Sequence, residues 1–355
     1  MQRVLVGMSG GVDSSAAAAL LLDAGVETAG VTLRLYDGAA EEGTRCGSSR
    51  EERDAAAVAA ALGIPHTVAA FREAFAAAVI APFIEEYRVG RTPNPCVVCN
   101  RRIKFGVMLD YALGQGFTHI ATGHYVRRQT DPVSGRELLL RPADLKKDQT
   151  YMLYTLSQHQ LAHALFPLGE LQKTEVRRYA EEKGLISAKK PDSQDICFVP
   201  DGDYAGFIER YTGKACPPGL YVDREGNPLG RHGGVIRYTI GQRKGLGIAL
   251  GRPMFVLEKD AASGRVVLGE EAFLFSRRVA VESVNLIALE RLEAPLRVCA
   301  KLRYGQSPQP ATLFPEEDGA VLEFDAPQRA ATPGQSAVFY DGEVVVGGGI
   351  IRGAV

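Results

Sequence analysis

The stretch Val4-Leu5-Val6-Gly7-Met8-Ser9-Gly10-Gly11-Val12-Asp13-Ser14-Ser15 decides the fold of this chain. Its apolar opening, residues 4–8, has the length and composition of a buried strand. Two adjacent glycines follow, and then an alanine- and leucine-rich run that predicts a helix over residues 14–24. A strand, a glycine turn and a helix N-terminus together make an anion site. The glycines let the main chain approach a ligand, and the unpaired N–H groups of the first helical turn point at it, aided by the helix dipole. Ser9, Ser14 and Ser15 add hydroxyl donors, and Asp13 is placed to hold a magnesium ion, Mg2+, against phosphates.

Outward from this stretch, the first 125 residues alternate strand-like and helix-like segments. Strands are predicted at 28–35, 66–70 and 119–122, the last ending in Gly123-His124-Tyr125. Helices are predicted at 51–62, 75–89 and 104–115; the first of these ends at Gly63, with Pro65 just beyond as a stop signal. Such alternation predicts an α/β fold, a parallel sheet with helices on both faces. Ligands of these sheets sit at the carboxyl ends of the strands, so the glycine turn and Gly123 are expected on one edge. Residues 37–50 are polar and glycine-rich and read as a surface loop, and 130–137 as the turn of a hairpin. Residues 151–165 and 173–183 read as helices. Near residue 200 the texture changes to short strands separated by turns such as Arg224-Glu225-Gly226-Asn227 and Glu316-Glu317-Asp318-Gly319. The expected division is a first domain at 1–204, a small mixed domain at 205–275 and a β-barrel-like domain at 276–355.

Composition bounds the function classes. A chain of 355 residues with 46% hydrophobic residues has ample material for two or three packed domains. A net charge of −1 gives no global basic field, so contact with nucleic acid would rest on local basic faces. No apolar run reaches the ~18 residues of a membrane span. The chain enters a strand with no signal-peptide pattern, and its six cysteines fit a reducing compartment, so a cytoplasmic location is expected.

The glycine turn is neither a Walker A loop, which needs a lysine, nor the Gly-x-Gly-x-x-Gly dinucleotide fingerprint. Ser9-Gly10-Gly11-Val12-Asp13-Ser14 instead resembles the pyrophosphate (PP) loop of ATP pyrophosphatases, enzymes that adenylate a carbonyl oxygen and release pyrophosphate.

Thr92-Pro93-Asn94-Pro95-Cys96-Val97-Val98-Cys99-Asn100 contains a Cys-x-x-Cys that two prolines approach in an extended form. A helix beginning near Arg101 would put Cys99 at a helix N-terminus beside Arg101, Arg102 and Lys104, which favours a reactive thiolate. Cys197 lies in Pro191-Asp192-Ser193-Gln194-Asp195-Ile196-Cys197-Phe198, whereas Cys46, Cys216 and Cys299 have no motif around them, and Cys299 reads as a core residue. Zinc binding by Cys96, Cys99 and Cys197 lacks a recognisable fourth ligand. An iron–sulfur cluster with one open iron is a second reading of the same three residues.

At this point the chain resembles one family closely, the tRNA-specific 2-thiouridylases that thiolate the wobble uridine. The resemblance runs through Gly7-Met8-Ser9-Gly10-Gly11-Val12-Asp13-Ser14, Gly90-Arg91-Thr92-Pro93-Asn94-Pro95, Cys99-Asn100, Ile103-Lys104-Phe105 and Ala121-Thr122-Gly123-His124-Tyr125. It continues through Lys147-Asp148-Gln149, Asp192-Ser193, Ile196-Cys197-Phe198, Gly241-Gln242-Arg243-Lys244-Gly245-Leu246-Gly247, Thr332-Pro333-Gly334-Gln335-Ser336 and Gly347-Gly348-Gly349-Ile350-Ile351. The resemblance implies an adenine-nucleotide α hydrolase-like catalytic domain, a small central domain and a C-terminal β-barrel, the last two gripping the anticodon arm of a tRNA. It implies that Gly7, Met8, Ser9, Gly10, Gly11, Val12, Asp13 and Ser14 bind ATP, with Leu33 and Gly123 lining the nucleotide pocket. Cys99 matches the nucleophile and Cys197 the persulfide-bearing cysteine; Asn94, Pro95 and Cys96 match the segment that meets the target base. Lys147, Asp148 and Gln149, and Arg303 and Tyr304, match tRNA-contacting stretches. One departure stands out: many family members carry aspartate where this chain has Cys96. Cys96 is thus an idle thiol, a proton shuttle, or a ligand with Cys99 and Cys197 of a [4Fe–4S] cluster.

The implied chemistry explains these residue types. The C2 carbonyl of uracil is a poor electrophile, and adenylation turns its oxygen into a leaving group. A persulfide on Cys197 then delivers sulfur, Cys99 cleaves the S–S bond, and a Cys99–Cys197 disulfide remains for a reductant to reset. In an alternative order Cys99 releases hydrosulfide first. The implied partners are tRNAs reading lysine, glutamate and glutamine codons, and a cysteine desulfurase or sulfur-carrier protein. The target base must leave the anticodon stack, and the clusters Arg101-Arg102-Lys104, Arg127-Arg128, Lys146-Lys147, Lys189-Lys190 and Arg243-Lys244 are candidates for phosphate contacts. His124 reads equally as a nucleotide contact or a structural residue. Two other functions compete: a PP-loop synthetase with another acceptor, which needs no cysteine pair, and a tRNA-binding protein without activity, which the intact loop opposes.

Overall fold

The computed structural model describes residues 2–36, 49–190 and 196–355. Cys46, most of the loop expected at 37–50, and Pro191-Asp192-Ser193-Gln194-Asp195 lie outside the described residues. The last two positions of that expected loop open a helix instead. The chain divides into two compact units, one formed by Met1–Ile80, Pro95–Gly202 and Glu343–Val345, the other by Ala81–Asn94, Asp203–Gly342 and Val346–Val355.

The first unit is built on a five-stranded sheet. Its strands are β1 (Arg3–Gly7), β2 (Glu27–Arg34), β3 (His66–Ala70), β4 (His119–Ala121) and a short strand Ala164–Leu165. The order is β3, β2, β1, β4 and then Ala164–Leu165, and every pairing is parallel. Strand order reverses between β1 and β4, which is where open parallel sheets leave a crevice for ligands. Helix α1 (Val12–Asp23) has Ala16, Ala17, Ala18 and Ala19 all buried. Alanine at these positions lets the helix lie close to its neighbours on several sides, unlike an amphipathic surface helix. Val4, Val6, Met8, Val12, Ala18 and Leu21 form one core with Ala55, Val58 and Ala59 of α2 (Ser49–Leu62) and Ala180 of a helix at Lys173–Glu182.

Two predicted helices are corrected. The helix expected at 75–89 starts earlier, as α3 (Arg72–Phe75), passes through a π-helical segment at Ala76–Ile80 and resumes as α4 (Ala81–Arg88). The helix expected at 151–165 does not form. That run makes a 3₁₀ turn at Thr150–Met152, a short helix at Gln158–Ala162 and the fifth strand of the sheet. Tyr151, Leu153, Tyr154 and Leu156 are all buried, a density that no single helical face supplies. Ser157 then caps the short helix, accepting from Gln160 N while Gln160 Oε1 accepts from Ser157 N.

In the second unit, one sheet pairs Phe255–Asp260 with Arg265–Gly269, then Gly219–Val222 and Pro228–His232. Tyr221 is fully buried there and donates to Leu246 O at 2.7 Å. The remaining strands close a barrel. Phe275–Leu286 pairs with Gly319–Arg329, which leads through Gln309–Glu316, Leu296–Lys301 and Ser336–Asp341 to Val344–Ala354, and the last strand pairs back on the first. Closure leaves these strands without an open edge. Cys299, expected in the core, is half-buried; Val298 and Ala300 on either side point inward, and alternation turns Cys299 the other way.

Residues 90–94 also belong to the second unit and are clamped within it. Thr92 N donates to Pro333 O at 2.9 Å, Gln335 Nε2 donates to Thr92 O at 2.8 Å, and Arg91 pairs with Glu282 at 2.8 Å. Lys259 Nζ lies 3.4 Å from Thr92 Oγ1 and 5.9 Å from the Tyr87 ring centre. Burial lowers the Lys259 pKa from 10.5 to about 8. Between those values the unfolded chain holds a proton that the folded chain lacks, so stability rises with pH, and below them the buried ammonium is a penalty. Lys259→Met is therefore expected to stabilise the protein by roughly 1–2 kcal/mol at about pH 7, the gain shrinking as pH rises past about 8. Urea melts at neutral and alkaline pH check this; a gain independent of pH would contradict it.

Candidate active site

The phosphate loop is held open by its own serines. Gly10 adopts φ +69, a left-handed conformation, with Glu51 O only 2.9 Å from where a Cβ would stand. Gly11 precedes the helix in an extended conformation. Ser14 Oγ accepts from Ser9 N at 3.2 Å and donates to Gly11 O at 3.2 Å, and Ser15 Oγ donates to Gly11 O at 2.8 Å. Lys190 Nζ donates to Gly10 O at 2.9 Å and pairs with Asp54 of α2, stitching the loop to that helix. Gly123, one strand over at the end of β4, touches the same loop. A Cβ there would lie 2.6 Å from Asp13 C and 2.7 Å from Ser14 N. Leu33 sits half-buried near the carboxyl end of β2, beside β1.

Asp13 is not standing open. Lys173 Nζ reaches Oδ1 at 2.7 Å and Oδ2 at 2.8 Å, and Tyr125 Oη donates to Oδ1 at 2.8 Å. Neither partner is legible in the sequence: Tyr125 ends the motif Ala121-Thr122-Gly123-His124-Tyr125 with nothing to tie it to Asp13, and no signal marks Lys173 among the lysines. His124 is structural by its surroundings. It is buried, its Nδ1 lies 2.8 Å from Thr122 Oγ1, and burial, followed by the nearby Lys104 charge, lowers its pKa well below the usual histidine range. His66 is lowered by burial as well, with Nε2 at 2.9 Å from Thr32 Oγ1, whose hydroxyl donates to Met8 O.

The cysteine helix begins six residues before the expected start near Arg101. Pro95–Cys99 is already helical, Asn100–Val107 is a π-helix, and Met108–Gly114 completes it. Pro95 takes the first helical position, where its missing N–H has no partner to lose. The helix N-terminus therefore falls on Cys96, and Cys99, with φ −59 and ψ −44, lies inside the helical run. π-helical segments loosen the main-chain ladder and occur often at functional sites. Here Gln160 Nε2 donates to Arg101 O at 2.9 Å and Phe105 O at 2.7 Å, a partner that sequence reading also missed. Asn100 Nδ2, next to Cys99, donates to Met152 O at 3.2 Å.

Cys96, Cys99 and Cys197 are each half-buried. Phe198, beside Cys197, is buried with its ring edge-on to Phe75 at 5.7 Å. Among the described residues no three His, Cys, Asp or Glu side chains form a group that could hold a metal ion. As placed, the three cysteines do not fit a [4Fe–4S] cluster.

The turn bearing Lys147, Asp148 and Gln149 is strongly built. Asp148 is buried, pairs with Arg141 at 2.9 Å and accepts from Thr150 N at 3.0 Å. Gln149 Oε1 accepts from Tyr125 N at 2.8 Å. One of the basic clusters is spoken for: Arg127 bonds Arg141 O and Glu343, and Arg128 bonds Leu161 O and Ala162 O. Lys190 of a second cluster is held as above. Arg101, Arg102, Lys146, Arg243 and Lys244 are exposed. In the second unit Asn94 is half-buried, Arg303 donates to Arg329 O, and Tyr304 is exposed.

Family models match nearly the whole chain: a tRNA methyl transferase HUP domain at residues 2–201, a tRNA methyl transferase PRC-barrel domain at 205–270 and an aminomethyltransferase β-barrel domain at 276–351. The tRNA-specific 2-thiouridylase MnmA of Acetivibrio thermocellus is 51% identical, with 99% of each chain covered. That of Clostridioides difficile is 49% identical over 99% of this chain and 98% of its own. The chain belongs to the tRNA-specific 2-thiouridylase family. As in that family, the PP-loop sheet comes first, then the small central domain and the closed barrel. Among the described residues of this 2-thiouridylase no helix is long and apolar enough to cross a membrane.

Proposed function

We propose that this chain uses ATP to adenylate the C2 carbonyl oxygen of the wobble uridine of tRNA and replaces that oxygen with sulfur. The products are 2-thiouridine, AMP and pyrophosphate. One observation carries the proposal: a phosphate loop at the strand-order reversal shares a compact unit with Cys99 and Cys197, in a chain 51% identical to a 2-thiouridylase.

ATP phosphates would lie on Gly7, Met8, Ser9, Gly10, Gly11, Val12, Asp13 and Ser14, with Leu33 and Gly123 along the nucleotide. The first-turn N–H groups of α1 face the charge that develops on departing pyrophosphate. Magnesium accompanying ATP would take Asp13 as its protein ligand and screen phosphate charge; one carboxylate suffices when the phosphates supply the rest. A terminal sulfur on Cys197, supplied by a cysteine desulfurase or a carrier, attacks C2, and AMP leaves with the original oxygen. The Cys99 thiolate then attacks the Cys197 sulfur. The S–S bond to the base-bound sulfur breaks, its electron pair stays with the thiocarbonyl, and a Cys99–Cys197 disulfide forms for an external thiol to reduce. Asn94, Pro95 and Cys96 would meet the flipped base. Lys147, Asp148, Gln149, Arg303 and Tyr304 would hold the anticodon arm of lysine, glutamate and glutamine acceptors. The domains would divide at 204/205 and 275/276. No step runs through an iron–sulfur cluster.

The test incubates the full chain with tRNA, ATP, a desulfurase and cysteine. The nucleosides are then analysed for oxygen-to-sulfur exchange. Thiolation together with tRNA-dependent pyrophosphate release is expected. Pyrophosphate release by the wild type with no thiolation of tRNA would instead mark a PP-loop synthetase with another acceptor.

A further inference from the structure

Resting on the ATP reading above, we infer that Lys173 is the phosphate-contacting cation of this site, held on Asp13 until nucleotide arrives. The loop itself has a charge deficit. Residues 7–15 contain no lysine or arginine, and their one charged side chain is the carboxylate of Asp13. Pyrophosphate leaving ATP carries several negative charges, and main-chain N–H groups offer it dipoles but no full positive charge.

Among the described residues, two ammonium groups reach the loop. Lys190 is committed to a loop carbonyl, Gly10 O, and to Asp54 on a different helix, an arrangement that ties the loop down. Lys173 differs in partner and in place. It grips the loop's own carboxylate with both oxygens, in the first turn of α1, where an anion on the helix N-terminus would sit. The lysine side chain is 10% exposed and Asp13 31%, so the carboxylate is the more accessible partner of the pair. The ammonium also lies 5.6 Å from the Tyr125 ring centre, and the Tyr125 hydroxyl shares Asp13 Oδ1.

The lysine is pre-aimed. Lys173 N donates to Asp144 Oδ2 at 3.0 Å, and Asp144 Oδ1 accepts from Lys146 N, so the helix start is fixed to the turn at 144–149. The same turn fixes Tyr125, whose N–H and C=O both bond Gln149. A long, flexible side chain rooted in a rigid base loses little freedom when it changes partner. When the phosphates enter, Nζ exchanges a carboxylate oxygen for a phosphate oxygen, and Asp13 is released towards the magnesium that travels with ATP. No covalent bond changes, and the ammonium keeps its protons throughout.

The experiment measures equilibrium binding of Mg·ATP and of AMP to the full chain, in wild type, Lys173→Met and Lys173→Arg. ATP affinity is expected to fall about tenfold or more in Lys173→Met, to recover in part in Lys173→Arg, and AMP affinity to change by less than about twofold, because AMP lacks the outer phosphates. Equal losses for ATP and AMP would overturn the inference and leave Lys173 a support of the loop. Unchanged ATP affinity would overturn it too. Wild type that binds no ATP would reject the ATP reading itself, a distinct outcome. Should Lys173→Met fail to fold, nitrogen-15 spectra of the wild-type lysine ammonium groups decide: the Lys173 signal must move with Mg·ATP and stay with AMP, and any other pattern overturns the inference.

Discussion

Replacing Cys197 by serine is expected to abolish 2-thiouridine formation, by at least about a thousandfold, while tRNA-dependent release of pyrophosphate from ATP continues. Serine preserves the shape of the side chain and removes the only atom that can carry a second sulfur. In the proposed mechanism the activation half of the reaction uses other residues, those of the phosphate loop. The segment has its own anchor in the buried Phe198 ring, edge-on to Phe75, so the fold is expected to survive with little change in melting temperature. Cys99→Ser loses thiolation to a similar degree for a different reason. Its Cys197 still accepts sulfur, and after treatment with desulfurase and cysteine the intact protein should retain one added sulfur that Cys197→Ser lacks. Nucleoside analysis, a pyrophosphate assay and intact-protein mass read the three steps separately. Thiolation surviving in both variants would remove the persulfide scheme. Loss of pyrophosphate release alongside thiolation would place the cysteines before adenylation.

Gly123→Ala is expected to lower ATP-dependent activity by about a hundredfold, through the loop and without touching the cysteines. The added methyl would stand 2.6 Å from Asp13 C, 2.7 Å from Ser14 N and 2.9 Å from Asp13 Cβ. Two of these are main-chain atoms at the start of α1, so no side chain can rotate away to make room. The other side cannot yield easily, because β4 is paired on both edges, with β1 and with Ala164–Leu165. The strain therefore falls on the loop, and a shift on the order of 1 Å in the Ser14 N–H misdirects a donor that the proposed ATP binding assigns to phosphate. Mg·ATP and AMP affinities should fall together, unlike the selective loss expected of Lys173→Met. Overpacking of this kind also costs roughly 1–3 kcal/mol of stability, which a thermal melt of the variant checks. Wild-type ATP affinity in Gly123→Ala would mean that the nucleotide does not use this end of the loop.

Much of the site was legible in the sequence because its residues are consecutive. The loop of residues 7–15 is a strand, a turn and a helix start, each dictated by neighbours in the chain, and Gly10 takes its left-handed conformation as such a turn requires. Pro95 is the exception. Two prolines in Pro93-Asn94-Pro95 predict an extended approach to the Cys-x-x-Cys, whereas Pro95 is the first residue of the helix, so the N-terminal position passes from Cys99 to Cys96. The helix expected at 151–165 failed because apolar content alone does not report whether a run buries one face or all of them. The basic clusters divided in the same way. Arg127 and Arg128 look like Arg243 and Lys244 in sequence, and only the fold shows that the first pair is spent on carbonyl oxygens and carboxylates.

The sequence by itself determined the parallel α/β sheet, the phosphate loop, the three cysteines and the family, since these rest on short local patterns and their order along the chain. The tertiary structure decided what surrounds them. Lys173 meets Asp13 across 160 positions, Tyr125 meets it across 112, and Gln160 reaches back 55 positions to the carbonyl of Phe105 in the π-helix. Side chains so distant in the chain become neighbours only when the sheet is assembled and its helices pack, and a local pattern carries no trace of that meeting.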